Sequence, residues 1–183
     1  MSFVGPLGEV IAALNAVGVP YMVAGSVASS VWGELRASQD VDLVVEAGRA
    51  DLVGFCRVLE SERWYADKDM AIEAARTISM FNVLDTDSGW KFDIIVRKGR
   101  PFSREEFSRR RTTVVDGLTV FIASPEDTIL AKLEWARRSE SERQVRDAAG
   151  IVRVQGEALD VAYIERWAGE LGVLDLWGQV RGR

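Results

Sequence analysis

Residues 21–46, YMVAGSVASSVWGELRASQDVDLVVE, constrain the fold more than any other stretch of this 183-residue chain. An apolar run meets Gly25-Ser26, a short segment of helical character follows, and Asp40-Val41-Asp42 opens a second apolar run. Read by period, this is a strand, a turn, a helix and a strand whose polar side chains fall at the junctions. Successive side chains of a strand point to opposite sides, so Val41, Leu43 and Val45 share one face while Asp40, Asp42, Val44 and Glu46 share the other. The intervening helix is expected over 26–35, with Val27, Val31 and Leu35 along one side.

The remaining segments supply what this unit must pack against. Leu7, Val10, Ile11, Leu14 and Val17 recur at helical spacing, and Gly18 ends that helix. A third helix is expected over 48–63, with Leu52, Phe55, Cys56 and Leu59 turned inward, and a short one over 67–76. Residues 77–84 and 90–97 read as strands of a hairpin, because 85–89 is a cluster of turn formers. A short helix over 103–109 leads to a second strand pair, 112–115 and 118–123, across the two-residue turn Asp116-Gly117. From Ser124 onward the pattern is helical only. Ser124-Pro125-Glu126-Asp127 is a well-specified helix start, and further helices are expected over 142–154, 160–171 and 174–180. The expected fold class is α+β: a mixed β-sheet core flanked by helices over 1–123, with a C-terminal helical region, 124–183, packed on it.

Composition narrows the chemistry. The chain has no histidine, which excludes Ser-His or Cys-His nucleophile pairs and histidine-ligated zinc. Carboxylates and oxygen-binding metals are what remain. A single cysteine, Cys56, makes no internal disulfide and reads as a small buried hydrophobe in a reducing compartment. With 48% hydrophobic residues and a formal net charge of -5, the chain is globular and carries no global field for polyanions. The N-terminal residues lack the basic start and apolar core of a signal peptide, and no run reaches membrane-spanning length, so a cytoplasmic protein with no membrane partner is expected.

Asp40 and Asp42, two apart on a strand, leave the same face, and their carboxylates can converge on one or two magnesium ions. Gly25 lets the backbone approach a phosphate, and Ser26 opens a helix whose N-terminus offers a hydroxyl and amide donors. Asp93 projects from the apolar strand Phe92-Asp93-Ile94-Ile95-Val96, where a carboxylate needs a partner; a metal beside it, or a role as proton acceptor, would supply one. Each part also has an ordinary reading: a turn with a serine cap, or a solvated strand end. Their order, with a third acid in a later strand, is the specific signal.

Gly25-Ser26, Asp40-Val41-Asp42 and Asp93 together resemble the nucleotidyltransferase superfamily with the polymerase-beta-like fold. The helices from Ser124-Pro125-Glu126-Asp127 through Leu130-Ala131-Lys132-Leu133 to Arg146-Asp147 resemble a small bacterial branch that includes the AbiEii-type toxin nucleotidyltransferases. The resemblance implies Ser26 as a phosphate contact, Asp40, Asp42 and Asp93 as metal-binding catalytic carboxylates, Lys132 as a triphosphate contact and Asp147 as a further site residue. It also implies Mg2+ or Mn2+ as cofactor, a nucleoside triphosphate as substrate and, in the toxin branch, a cognate antitoxin as partner. Lys132 also reads as a solvated lysine on an amphipathic helix. Arg36, four residues before Asp40, can reach a phosphate or be a surface arginine. The concentration of basic residues between Arg97 and Arg111 is the one basic segment of an acidic chain; together with the resemblance of the C-terminal half to the toxin branch, it favours RNA, particularly the 3′ end of tRNA, as acceptor. A protein, a small hydroxylated molecule such as an antibiotic, or a catalytically inactive nucleotide-binding or partner-binding module are the alternatives.

Overall fold

The computed structural model describes residues 3–35, 38 and 40–182. Its elements run α1 (Val4–Ala16), β1 (Tyr21–Val23), α2 (Gly25–Trp32), β2 (Asp40–Val45), α3 (Arg49–Leu59), β3 (Trp64–Ala66), α4 (Lys68–Thr77), β4 (Met80–Asp85), β5 (Lys91–Val96), α5 (Pro101–Ser108), β6 (Arg111–Val115), β7 (Leu118–Ile122), α6 (Pro125–Ser139), α7 (Glu142–Gln155), α8 (Val161–Glu170) and α9 (Leu174–Arg181). The strands make one seven-stranded mixed sheet in the order β3-β4-β5-β2-β1-β7-β6. β2 pairs with β5 in parallel and with β1 antiparallel; β1 pairs with β7 in parallel; the other neighbours are hairpins or antiparallel pairs. The fold class is therefore the expected one, a mixed sheet flanked by helices.

Alternation along the central strands separates two environments. Val41, Leu43 and Val45 of β2, Phe92, Ile94 and Val96 of β5, and Phe81 and Val83 of β4 are buried in one core with Leu7, Leu14, Leu52 and Phe55. Full burial of side chains such as Phe55, Phe81 and Phe92 contributes about 1.5–3 kcal/mol each. The opposite face of β2 and β5 carries Asp40, Asp42 and Asp93. There Phe107 of α5 packs with Met22, Ala123 and Val44. A second core, formed by α6 to α9 with Phe102, holds Ile129, Leu133, Ile151, Ile164 and Trp167.

Trp32, at the end of α2, packs against both cores and donates its indole N–H to the Ala123 carbonyl at 2.7 Å. Gln155 of α7 returns a bond to the Trp32 carbonyl, also at 2.7 Å. A Cβ on Gly33 would stand 2.9 Å from the Ile151 amide nitrogen, so the chain leaving α2 lies directly on α7. The helical region is thus fixed to the element that follows Gly25.

Several local expectations change. α2 ends at Trp32, and Leu35 is 93% exposed rather than on its packed face. The third helix stops at Leu59, before Trp64–Ala66 forms an edge strand that the sequence pattern did not reveal. Residues 77–79 belong to the end of α4 and its left-handed turn at Ile78, not to a strand. α5 begins two residues earlier than expected because Pro101 occupies its first turn. Asp116 and Gly117 both take positive φ, 46° and 85°, as a two-residue hairpin turn requires. Ser124 Oγ accepts the Asp127 amide at 3.1 Å and donates to the Asp127 carboxylate at 2.6 Å, the cap that the sequence announces.

Candidate active site

Parallel pairing of β2 with β5 sets Asp40 opposite Lys91 and Asp42 opposite Asp93. All four lie on the face away from the apolar core, so the period-two pattern of each strand, once in register, gathers three acids and one amine on neighbouring strands. β4 adds Asn82, which pairs with Asp93 in register and donates Nδ2 to Asp93 Oδ1 at 2.6 Å. Lys91 Nζ stands 3.4 Å from Asp40 Oδ1 and 3.2 Å from Asp93 Oδ1. The Asp93 side chain is only 13% exposed, whereas that of Asp40 is 52% exposed.

The turn after β1 closes onto this patch. Gly25 has φ +59°, and a Cβ built there would lie 1.7 Å from Asp42 Oδ2. A glycine is therefore required twice over, for backbone conformation and for space. The Ala24 amide donates to the Asp42 carbonyl at 2.9 Å, holding the turn against β2. Ser26, the second helical residue, is buried; its hydroxyl donates to Ser38 Oγ at 2.8 Å and approaches the Asp40 carbonyl at 3.4 Å. In this arrangement the serine ties the start of α2 to the chain entering β2. Arg36 lies outside the described residues.

Burial pushes the Asp42 carboxyl above its ordinary range. The Asp93 charge adds to the shift, Lys132 opposes it, Asp40 adds to it, and a hydrogen bond from the Ser26 backbone N–H opposes it. Lys132 is not a solvated lysine: it is 5% exposed, and its Nζ bonds Asp147 Oδ2 at 2.9 Å. α6 and α7 thereby bring a buried ion pair, Lys132–Asp147, into electrostatic contact with Asp42. For Lys91, desolvation lowers the pKa, but the hydrogen bond and charge of Asp93, followed by Asp40, outweigh it and hold the ammonium above the usual lysine range.

The donor set at this patch is oxygen only, which suits a hard divalent cation. Among the described residues no three acids close into a ready cage. That arrangement fits an ion held by one or two carboxylates together with substrate phosphates and water, the usual mode for magnesium. The burial and neighbouring carboxylates that raise Asp42, and the ammonium already drawn between Asp40 and Asp93, both mark the patch as one that favours positive charge.

Five arginines of the basic segment contact other parts of the fold. Arg97 pairs with Glu46 and Arg100 with Glu134. Arg109 pairs with Glu126 and Asp127 and stacks 3.8 Å from the Tyr163 ring centre. Arg110 lies over Phe107 and Phe121, and Arg111 pairs with Glu126. These five arginines bind elements of the fold to one another. Cys56 is buried, and its thiol is pushed up to about 11 by desolvation, as befits a packing residue.

Lys91 and Asn82 are the site residues the sequence reading missed. Lys91 shares the parity of Asp93 and sits two residues before it, so the period alone could have placed it on the acidic face. Asn82 needed the register of the β4–β5 hairpin, which the five residues between these strands do not specify.

No protein-family model and no curated protein matches the sequence. Solved structures do resemble it. The crystal structure of ANT(2'')-Ia in complex with adenylyl-2''-tobramycin has a TM-score of 0.60 at 15% identity, covering 94% of this chain and 98% of that one. The solution structure of the antibiotic-resistance factor ANT(2'')-Ia scores 0.55 at 17% identity, covering 91% and 94%. An antigenic nucleotidyltransferase-like protein from Paracoccidioides brasiliensis scores 0.57 at 17% identity, covering 98% and 93%. The chain has a nucleotidyltransferase-like fold over nearly its whole length. Among the described residues no helix is long and apolar enough to cross a membrane.

Proposed function

We propose that the open face of the sheet is the active site of a nucleotidyltransferase that moves a nucleoside monophosphate from a nucleoside triphosphate to a hydroxyl of a small acceptor. The observation that carries this reading is the register of β2 with β5, which aligns Asp42 with Asp93 beside Asp40 and beneath the Gly25 turn. The triphosphate lies at the N-terminus of α2, where backbone N–H groups and the positive end of the helix favour phosphate. Lys132, kept in place by Asp147, contributes positive charge on the side of α6. A magnesium or manganese ion, held by one or two of the carboxylates Asp40, Asp42 and Asp93 together with substrate phosphates, would neutralise charge on the attacking and leaving oxygens. The acceptor oxygen bonds to the α-phosphorus as the bond to pyrophosphate breaks. Asp93, oriented by Asn82, takes the hydroxyl proton.

A small hydroxylated acceptor is favoured over RNA because Arg97, Arg100, Arg109 and Arg111 are paired within the fold, which leaves Arg104 as the exposed arginine of the segment. An acidic surface also suits a cationic acceptor, and a structural neighbour of nearly the same extent is bound to adenylyl-2''-tobramycin. Incubation with each labelled nucleoside triphosphate and pools of aminoglycosides, RNA or protein tests this. Label is expected in a small product, and Asp42→Asn is expected to lower transfer about 10³-fold or more while circular dichroism stays unchanged. Transfer undiminished in Asp42→Asn would overturn the assignment of the site; label in RNA would overturn the choice of acceptor.

A further inference from the structure

The acidic face already contains one cation. Lys91 opens β5, opposite Asp40 in register and two residues before Asp93, and its ammonium stands between their carboxylates at 3.4 and 3.2 Å. Asn82 holds the same Asp93 oxygen at 2.6 Å, so the acid is fixed while the lysine reaches it. The Lys91 side chain remains 37% exposed. A lysine with a free path to water ordinarily hydrates its ammonium; here three carboxylates outnumber it, and it lies back against two of them.

We infer that Lys91 is a built-in counter-ion: it neutralises Asp40 and Asp93 before substrate arrives and yields its place to a divalent cation, so that it sets how readily the site loads. The inference rests on the metal-dependent reading of the same carboxylates. An ammonium and a divalent ion repel strongly within a few ångströms and compete for the same oxygens. The lysine stem has four flexible carbons, so the head can leave without moving β5. Two consequences follow from this exchange. A cation must displace Lys91 to bind, so the site resists metal in the absence of nucleotide. The displaced ammonium stays tethered at a site where an anionic triphosphate arrives, which links the two binding events.

Titration of Mn2+ alone, without nucleotide, into the wild-type chain, Lys91→Gln and Lys91→Arg tests the inference by calorimetry. Lys91→Gln is expected to bind Mn2+ roughly tenfold tighter or more, because the competing charge is gone. Lys91→Arg, which keeps the charge, is expected to bind like the wild type. Thermal melting followed by circular dichroism gives a second readout: without metal, Lys91→Gln melts lower than the wild type, and Mn2+ restores it. Binding by Lys91→Gln that is no tighter than that of a binding-competent wild type overturns the counter-ion role and leaves the site reading intact. Absence of Mn2+ binding in all three chains, with and without a triphosphate, overturns both.

Discussion

Asp85 and Asp42 project from opposite faces of one sheet, and their surroundings treat them in opposite ways. Asp85 ends the buried row Phe81, Val83, Asp85 of β4 and is 0% exposed. Arg63 grips both of its oxygens at 2.8 and 3.0 Å, and the Asp87 amide adds a bond at 3.2 Å. The Arg63 hydrogen bond holds the carboxyl well below the usual range, against the opposing effect of burial, with Ser88 and the Asp87 amide assisting. Asp42 has burial without such a partner, and the neighbours Asp93 and Asp40 raise it further. A carboxylate that closes a fold is supplied with its cation by the chain. Asp42 is left short of positive charge, which in the proposed reaction the substrate or its metal would supply.

The sharpest way to break this contrast is at Gly25, where the turn meets Asp42. Gly25→Ala introduces a Cβ within 1.7 Å of Asp42 Oδ2 at a φ of +59°. Loss of nucleotidyl transfer by about 100-fold or more is expected from displacement of the carboxylate, and a stability loss of at least about 1 kcal/mol from the backbone alone. Steady-state kinetics and chemical denaturation measure the two effects separately. Near-normal transfer would show that Asp42 tolerates being moved, contrary to its role.

Asp85→Ala should give the reverse result. It removes the acceptor of Arg63 Nε and Nη2 and of Ser88, while Glu9 still holds Arg63 Nη1, and is expected to cost about 2–3 kcal/mol of stability, with Mn2+ affinity at the open face unchanged. Urea denaturation beside Mn2+ calorimetry checks both halves. The pH dependence follows from the sign of the shift. The folded carboxyl lies below its unfolded value of about 3.9, so its stabilisation is complete above that value and is lost as pH falls through it toward the folded value. Acid unfolding of the wild type should therefore include a component that Asp85→Ala lacks.

A smaller effect is expected at Glu106, a half-buried acid on α5 whose carboxyl is pushed up to about 8. Burial is the main cause, Asp127 and Glu134 add to it, and Arg100 and Lys98 oppose it. Below about pH 4.3 both folded and unfolded chains hold this proton; between there and pH 8 only the folded chain does. Stability attributable to Glu106 consequently falls as pH rises through that window. Glu106→Gln should flatten the dependence and stabilise the chain by about 1 kcal/mol near pH 8.5, after discounting for solvent screening. Melting temperatures of the two chains between pH 5 and 9 would reveal it, and parallel curves would refute it.

What was legible in the sequence follows the same division between faces. Parity along β2 and β5 was enough to put Val41, Leu43, Val45, Phe92, Ile94 and Val96 on the packed side and Asp40, Asp42 and Asp93 on the other, because a strand's period of two is local information. The Gly25-Ser26 turn and the Ser124 cap were legible for the same reason. The short edge strand Trp64–Ala66 was not, since three half-exposed residues carry no period and are fixed by pairing with Val83, Leu84 and Asp85. The pairing of Arg97, Arg100, Arg109 and Arg111 with Glu46, Glu134, Glu126 and Asp127 was not legible either, because those acids lie on other elements. Lys132 could be read as a solvated lysine for the same reason: its partner Asp147 is on the next helix.

The most direct test of the open face as a nucleotide site is paramagnetic broadening. Mn2+ and a non-hydrolysable triphosphate are added to uniformly labelled protein, and amide signals are followed by NMR. If the open face binds the metal and the triphosphate, the amides around Gly25, Ser26, Asp40, Asp42 and Asp93 are lost at the lowest Mn2+ concentration, before those of α9 (Leu174–Arg181). Broadening centred away from β2, β5 and the start of α2, or none at all, would contradict it.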